Sequence, residues 1–246
     1  MSRRLVAAAL TWYSKTIRPE PVEVTWSSTL PLLILVLYLA STPLYSQLED
    51  LYPVSVYLGP QTFFFLAILF LHYGRGLGWT SLGLGTTRLR QNLALAAILI
   101  ALTYLGALAL GGVLWLVDSL VPIAPRAVPF FAARPLALDP VFVLCLVVLA
   151  PIFEEIIFRA LLLPALVREL GTVPGILLDA LIFMAAHLVF HPGAFILGLL
   201  AAILYRNTAS VIPVIALHAA CNAAGILLPK YLPFLYSFLR ILFQER

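Results

Sequence analysis

The run Val141–Leu166 is apolar enough to cross a bilayer, yet Glu154 and Glu155 stand side by side in its middle and Arg159 follows one helical turn later. A charged side chain at the centre of a membrane helix costs at least ~2.5–3.5 kcal/mol on insertion scales, so three of them require mutual pairing, a water-filled cavity or a function. Any fold open to this chain has to bring partners to that stretch. The surroundings are lipid: 63% of the residues are hydrophobic and 11% are charged, and the charges fall between apolar runs of about 17–29 residues, long enough to span a hydrocarbon core. The runs lack the ten-residue alternation of barrel strands, so their backbone groups must be satisfied inside α-helices. The sequence therefore predicts an all-α, polytopic integral membrane protein.

Eight spans fit the pattern, at about Leu30–Leu44, Pro60–Tyr73, Asn92–Val117, Pro140–Leu170, Thr172–Phe190, Pro192–Tyr205, Val211–Leu228 and Leu232–Phe243. Ahead of them, Met1–Ile17 reads as a basic amphipathic segment lying on the membrane surface, since its apolar core is short and no small-residue cleavage site follows. A Gly-rich loop carrying Arg75, Arg88 and Arg90 follows the second span and reads as turns with no phosphate-loop pattern. The Pro-rich connection Asp118–Asp139 follows the third. Two regions result: residues 1–140, with the surface segment, three spans and the Pro-rich loop, and residues 141–246, with spans four to eight. Cys145 and Cys221 both fall inside spans, as small packing residues.

Basic residues set the orientation. With the amino terminus inside, the inner segments hold Arg3, Arg4, Lys15, Arg18, Arg75, Arg88, Arg90, Arg168, Arg206, Arg240 and Arg246, against Arg126, Arg134 and Lys230 outside. Both termini then face the cytoplasm, in the plasma membrane if the cell is prokaryotic. Topology and anionic lipid account for the net charge of +4, and no nucleic-acid partner is assigned to it.

Besides the span-four trio, few polar residues sit at membrane depth: Asp179 and His187 on span five, His218 and Asn222 on span seven. Phe183 and His187 are four apart, as are His218 and Asn222, so each pair projects from one helical face. A glutamate beside a histidine can take a proton from water, which makes a hydrolytic nucleophile. The second histidine and the amide are donors suited to a developing oxyanion. Glu155 and Arg159 form an i,i+4 ion pair, leaving Glu154, about 100° away around the helix, for the cavity. Asp179 is expected to be a local hydrogen-bonding or interface residue near the inner end of span five.

In this order on successive spans, Glu154-Glu155-x-x-x-Arg159, Phe183-x-x-x-His187 and His218-x-x-x-Asn222 resemble the CPBP family, the type II CAAX prenyl endopeptidases and bacteriocin-processing membrane proteases. The likeness covers about Val141–Leu228. It implies an eight-helix intramembrane endopeptidase acting on membrane-associated proteins or peptides, prenylated CAAX-type or unmodified. By motif position, Glu154 is similar to the family's water-activating glutamate, His187 to its partner, and His218 with Asn222 to the pair that stabilises the transition state. Glu155, Arg159 and Phe183 would support the site. For a cofactor two options stay open: none, or a divalent metal such as zinc held by Glu154, His187 and His218, with His191 four residues beyond His187. The His-Glu-x-x-His pattern that places a general base between two such ligands is missing. Readings from other classes are a proton-coupled transporter, against which the lack of an inverted repeat speaks, and a non-enzymatic immunity or scaffold protein.

Overall fold

The computed structural model describes residues 24–49, 54–120, 139–187 and 192–231. Among them the regular structure is all helical: α1 (Thr29–Leu48), α2 (Ser55–Gly74), α3 (Leu89–Leu120), α4 (Pro140–Leu170), α5 (Thr172–Ala186), α6 (Pro192–Thr208) and α7 (Ile212–Tyr231). Four of these, α1, α2, α3 over Leu89–Val113, and α4, are long and apolar enough to cross a membrane, while α5 and most of α7 are shorter apolar helices. The surface segment Met1–Ile17, residues 121–138 of the Pro-rich connection and span eight lie outside the described residues.

Two boundaries differ from the expected spans for identifiable reasons. Helix α2 begins at Ser55 and takes Pro60 inside it, where a proline near the helix start removes one ladder bond without stopping the helix. Helix α5 ends at Ala186 instead of Phe190, so His187 is the residue after the last helical one. There the His187 ring takes the Phe183 carbonyl at 2.8 Å and its backbone N–H donates to Met184 O at 3.1 Å. A side chain bonding a terminal carbonyl in this way closes a helix end.

Helix α4 is the centre of the molecule and touches α1, α2, α5, α6 and α7; α3 packs mainly on α7. Asp139 caps α4, accepting from Val141 N at 2.9 Å with Pro140 at the first helical position, a favoured helix start. Its ladder widens twice into π-turns, at Cys145–Leu149 and Ile156–Leu162. Pro151 and Pro164 lie just beyond these turns, and each lacks the N–H that would close a normal turn. Each widened turn offers a carbonyl to another segment: Asn222 Nδ2 donates to Leu146 O at 2.8 Å, and Trp26 Nε1 to Leu161 O at 3.0 Å. At the end of α4, Arg168 reaches the carbonyls of Val24 and Trp26, and Glu169 accepts from Ser28, so residues 24–28 are tied down at the foot of this helix.

Lipid tails are as apolar as leucine, so close approach between helices has to come from small residues. A Cβ on Gly175 would lie 2.8 Å from Val167 N, and one on Gly198 3.0 Å from Ala180 Cα; these mark the tight α4–α5 and α5–α6 crossings. Gly83, at φ +76° and facing Val211 and Ala160, lets the Gly-rich loop lie against α4. Its carbonyl accepts from Val211 N at 2.8 Å, while Ser210 Oγ donates to Gly85 O at 2.9 Å. The expected turns of this loop thus lock the α6–α7 corner onto the residue next to Arg159.

Candidate active site

Glu154 and Glu155 stand on the short stretch of α4 between its widened turns and Arg159 within the second of these turns, and residues 155 through 163 are buried. Glu155 has no exposed surface. Its Oε1 lies 2.8 Å from His218 Nδ1 on α7, and its Oε2 lies 3.0 Å from Arg159 Nε, an ion contact off the angle of a hydrogen bond. An ionised carboxylate only accepts, so His218 donates from Nδ1 and keeps Nε2 for another partner. His187 is likewise tethered through Nδ1, to the Phe183 carbonyl, which again leaves Nε2 as the working nitrogen.

The two glutamates are in different situations. Glu155 is wholly enclosed and doubly engaged, whereas Glu154 is partly exposed and makes no hydrogen bond among the described residues. Glu154 interacts electrostatically with His218, His187, Glu155 and Arg159, so it belongs to the same charged cluster. Tyr38 on α1 is a further neighbour of Glu154, placed by ring contacts with Phe64 and Phe63 at 4.6 and 6.0 Å between centroids.

Phe183 is the hub of the cluster. Its ring stands edge-on to His187 at 4.9 Å and to His218 at 5.7 Å, and the Arg159 guanidinium lies 4.7 Å from its centroid. One aromatic ring thereby spaces both imidazoles and covers a buried cation, an attraction worth about 2 kcal/mol when desolvated. Asn222 uses one amide hydrogen on Leu146 O and retains the other.

Asp179 is where the structure departs most from the sequence reading. It is fully buried, and its Oδ2 accepts from Arg159 Nη1 at 2.8 Å, so it joins the motif arginine instead of serving as a local or interface residue. The signal was available in the spacing: Asp179, Phe183 and His187 follow one another at four-residue steps on one face of α5. Tyr38 had no such signal, since the amino-terminal half carries no motif.

No three His, Cys, Asp or Glu side chains among the described residues are grouped so as to hold a metal ion. The set Glu154, His187 and His218 therefore does not fit a zinc site as placed, and His191 lies outside the described residues. Cys145 and Cys221 are both free thiols.

A helical membrane protein with Glu155, Arg159, Asp179 and His218 buried between its helices, and with the part-exposed Glu154 and the exposed His187 at the edge of that cluster, is the class that fold and site define. Residues 136–224 match the family described as type II CAAX prenyl endopeptidase, Rce1-like, the family that the three motifs resemble. The matched family is one of proteases. No curated protein and no solved structure matches the chain.

Proposed function

We propose that this protein is an intramembrane endopeptidase that hydrolyses peptide bonds of membrane-associated proteins or peptides of the CAAX type. The observation that carries the reading is the difference between adjacent glutamates: one locked to Arg159 and His218, the other without a hydrogen bond among the described residues and in electrostatic interaction with two imidazoles. In the proposed step, Glu154 takes a proton from a water that His187 Nε2 orients, and the water oxygen attacks the scissile carbonyl carbon. His218 Nε2 and the second amide hydrogen of Asn222 donate to the oxyanion that forms. Collapse of that intermediate breaks the C–N bond, and the proton held by Glu154 passes to the leaving amine. Glu155 and Arg159 hold His218 in place, and Phe183 spaces the imidazoles.

The same reading extends to topology. The chain crosses the membrane eight times with both termini on the cytoplasmic side, residues 1–140 shape access for substrate, and residues 141–246 form the catalytic region. In a prokaryotic cell the protein resides in the plasma membrane. Incubating the purified protein with a prenylated CAAX peptide and with its unmodified counterpart, each with and without a chelator, tests the reading. Cleavage near the peptide's carboxy terminus is the expected result, and intact peptides throughout would overturn it. The chelator arms report metal dependence, and the paired peptides report the need for a prenyl group.

A further inference from the structure

We infer that Asp179 is a positioning residue of the site: through Arg159 it fixes Glu155, and through Glu155 it fixes His218. Four contacts support this on geometry alone. Asp179 Oδ2 accepts from Arg159 Nη1 at 2.8 Å; Arg159 Nε lies 3.0 Å from Glu155 Oε2; Glu155 Oε1 lies 2.8 Å from His218 Nδ1; and Arg159 sits 4.7 Å over Phe183, a ring one helical turn beyond Asp179. Asp179, Arg159, Glu155 and His218 are all buried, so the chain of contacts is shielded from water and salt, where charge-assisted bonds are strongest.

The guanidinium is planar and rigid, so a carboxylate gripping Nη1 sets the position from which Nε makes its ion contact with Glu155. Without Asp179, Arg159 keeps one carboxylate and the ring face, and either can be met in more than one orientation. Glu155 and Asp179 are two carboxyl groups set on one guanidinium, and an amide at position 179 keeps the shape of one of them while replacing an acceptor oxygen with a donor. Asp179 lies outside the three sequence motifs, and its contact with Arg159 forms where α4 and α5 pack together.

The inference rests on the endopeptidase reading for its kinetic arm, while its structural arm stands apart from it. Histidine labelling makes the structural arm practicable, because the chain has four histidines. In the full-length purified protein labelled with ¹⁵N-histidine, Asp179→Asn is expected to shift the His218 Nδ1–H resonance and leave that of His187 in place. Asp179→Ala, which also removes the acceptor for Arg159, is expected to shift it further; if that variant does not fold, the isosteric Asp179→Asn decides. In the cleavage assay Asp179→Asn is expected to lower kcat about 10–100-fold, as loss of an outer partner of a site residue typically does, with KM within about twofold. A His218 resonance unmoved in Asp179→Asn overturns the inference, as does a loss of activity that appears entirely in KM. If Glu154→Gln cleaves at the wild-type rate while the His218 resonance still responds to position 179, the positioning role stands and the assignment of Glu154 falls.

Discussion

Helices α3 and α4 are both long and strongly apolar, yet 6% of the most apolar stretch of α3 is buried inside the protein against 39% of that of α4. Apolarity alone does not distinguish them. Leu102, Leu105, Leu110 and Val113 of α3 stay exposed, as suits a helix whose surroundings are lipid. Helix α4 is enclosed at the turns that carry Glu155 and Arg159, because those charges exclude lipid contact and must be met by α5 and α7. In a chain this apolar, the charged residues, more than the hydrophobic ones, determine which helix becomes the core.

Removing the central cation should affect α4 far more than any change in α3. Arg159→Met leaves Glu155 and Asp179 buried without their shared partner, a kind of loss that costs about 3–5 kcal/mol; a thermal melt in detergent should show a large drop or no folded protein. A melt like that of the wild type would mean that the two carboxylates do not depend on the arginine. A smaller effect is expected from Gly175→Ala, whose Cβ would press on the Val167 backbone; overpacking of this kind costs about 1–3 kcal/mol. On α3 the same change should be almost silent. Gly106 has nothing within 4 Å of a Cβ, so Gly106→Ala is expected to stay within about 0.5 kcal/mol of the parent, as surface substitutions do. A Gly106 variant as damaged as the Gly175 variant would erase the contrast between the two helices.

Much of this was legible in the sequence, and the limits are instructive. The bounds of α4, Pro140–Leu170, follow from its Asp-Pro start and Gly171 stop, and the Glu155–Arg159 contact follows from spacing alone. The end of α5 did not, since the capping of its last turn depends on the His187 ring reaching the Phe183 carbonyl, a choice between two bonds that periodicity does not encode. Sequence marks Asp179 as a local hydrogen-bonding or interface residue and does not show its partner, because pairing across α4 and α5 is set by the Gly171 turn and the Gly175 crossing. Tyr38 was missed because its role depends only on the packing of α1 against α4. Local spacing reports which side chains share a face; which faces meet is settled by close packing between helices.

The central claim is that adjacent glutamates do different jobs, and a paired measurement of cleavage and melting on two isosteric variants tests it most directly. Glu154→Gln should lower cleavage by about 10²–10⁴-fold, the usual contribution of a general base, with its melt unchanged. Glu155→Gln should lower the melting temperature as well, since it weakens contacts to both Arg159 and His218. If Glu154→Gln cleaves at the parent rate, or if the two variants cannot be told apart in both readouts, the claim is contradicted.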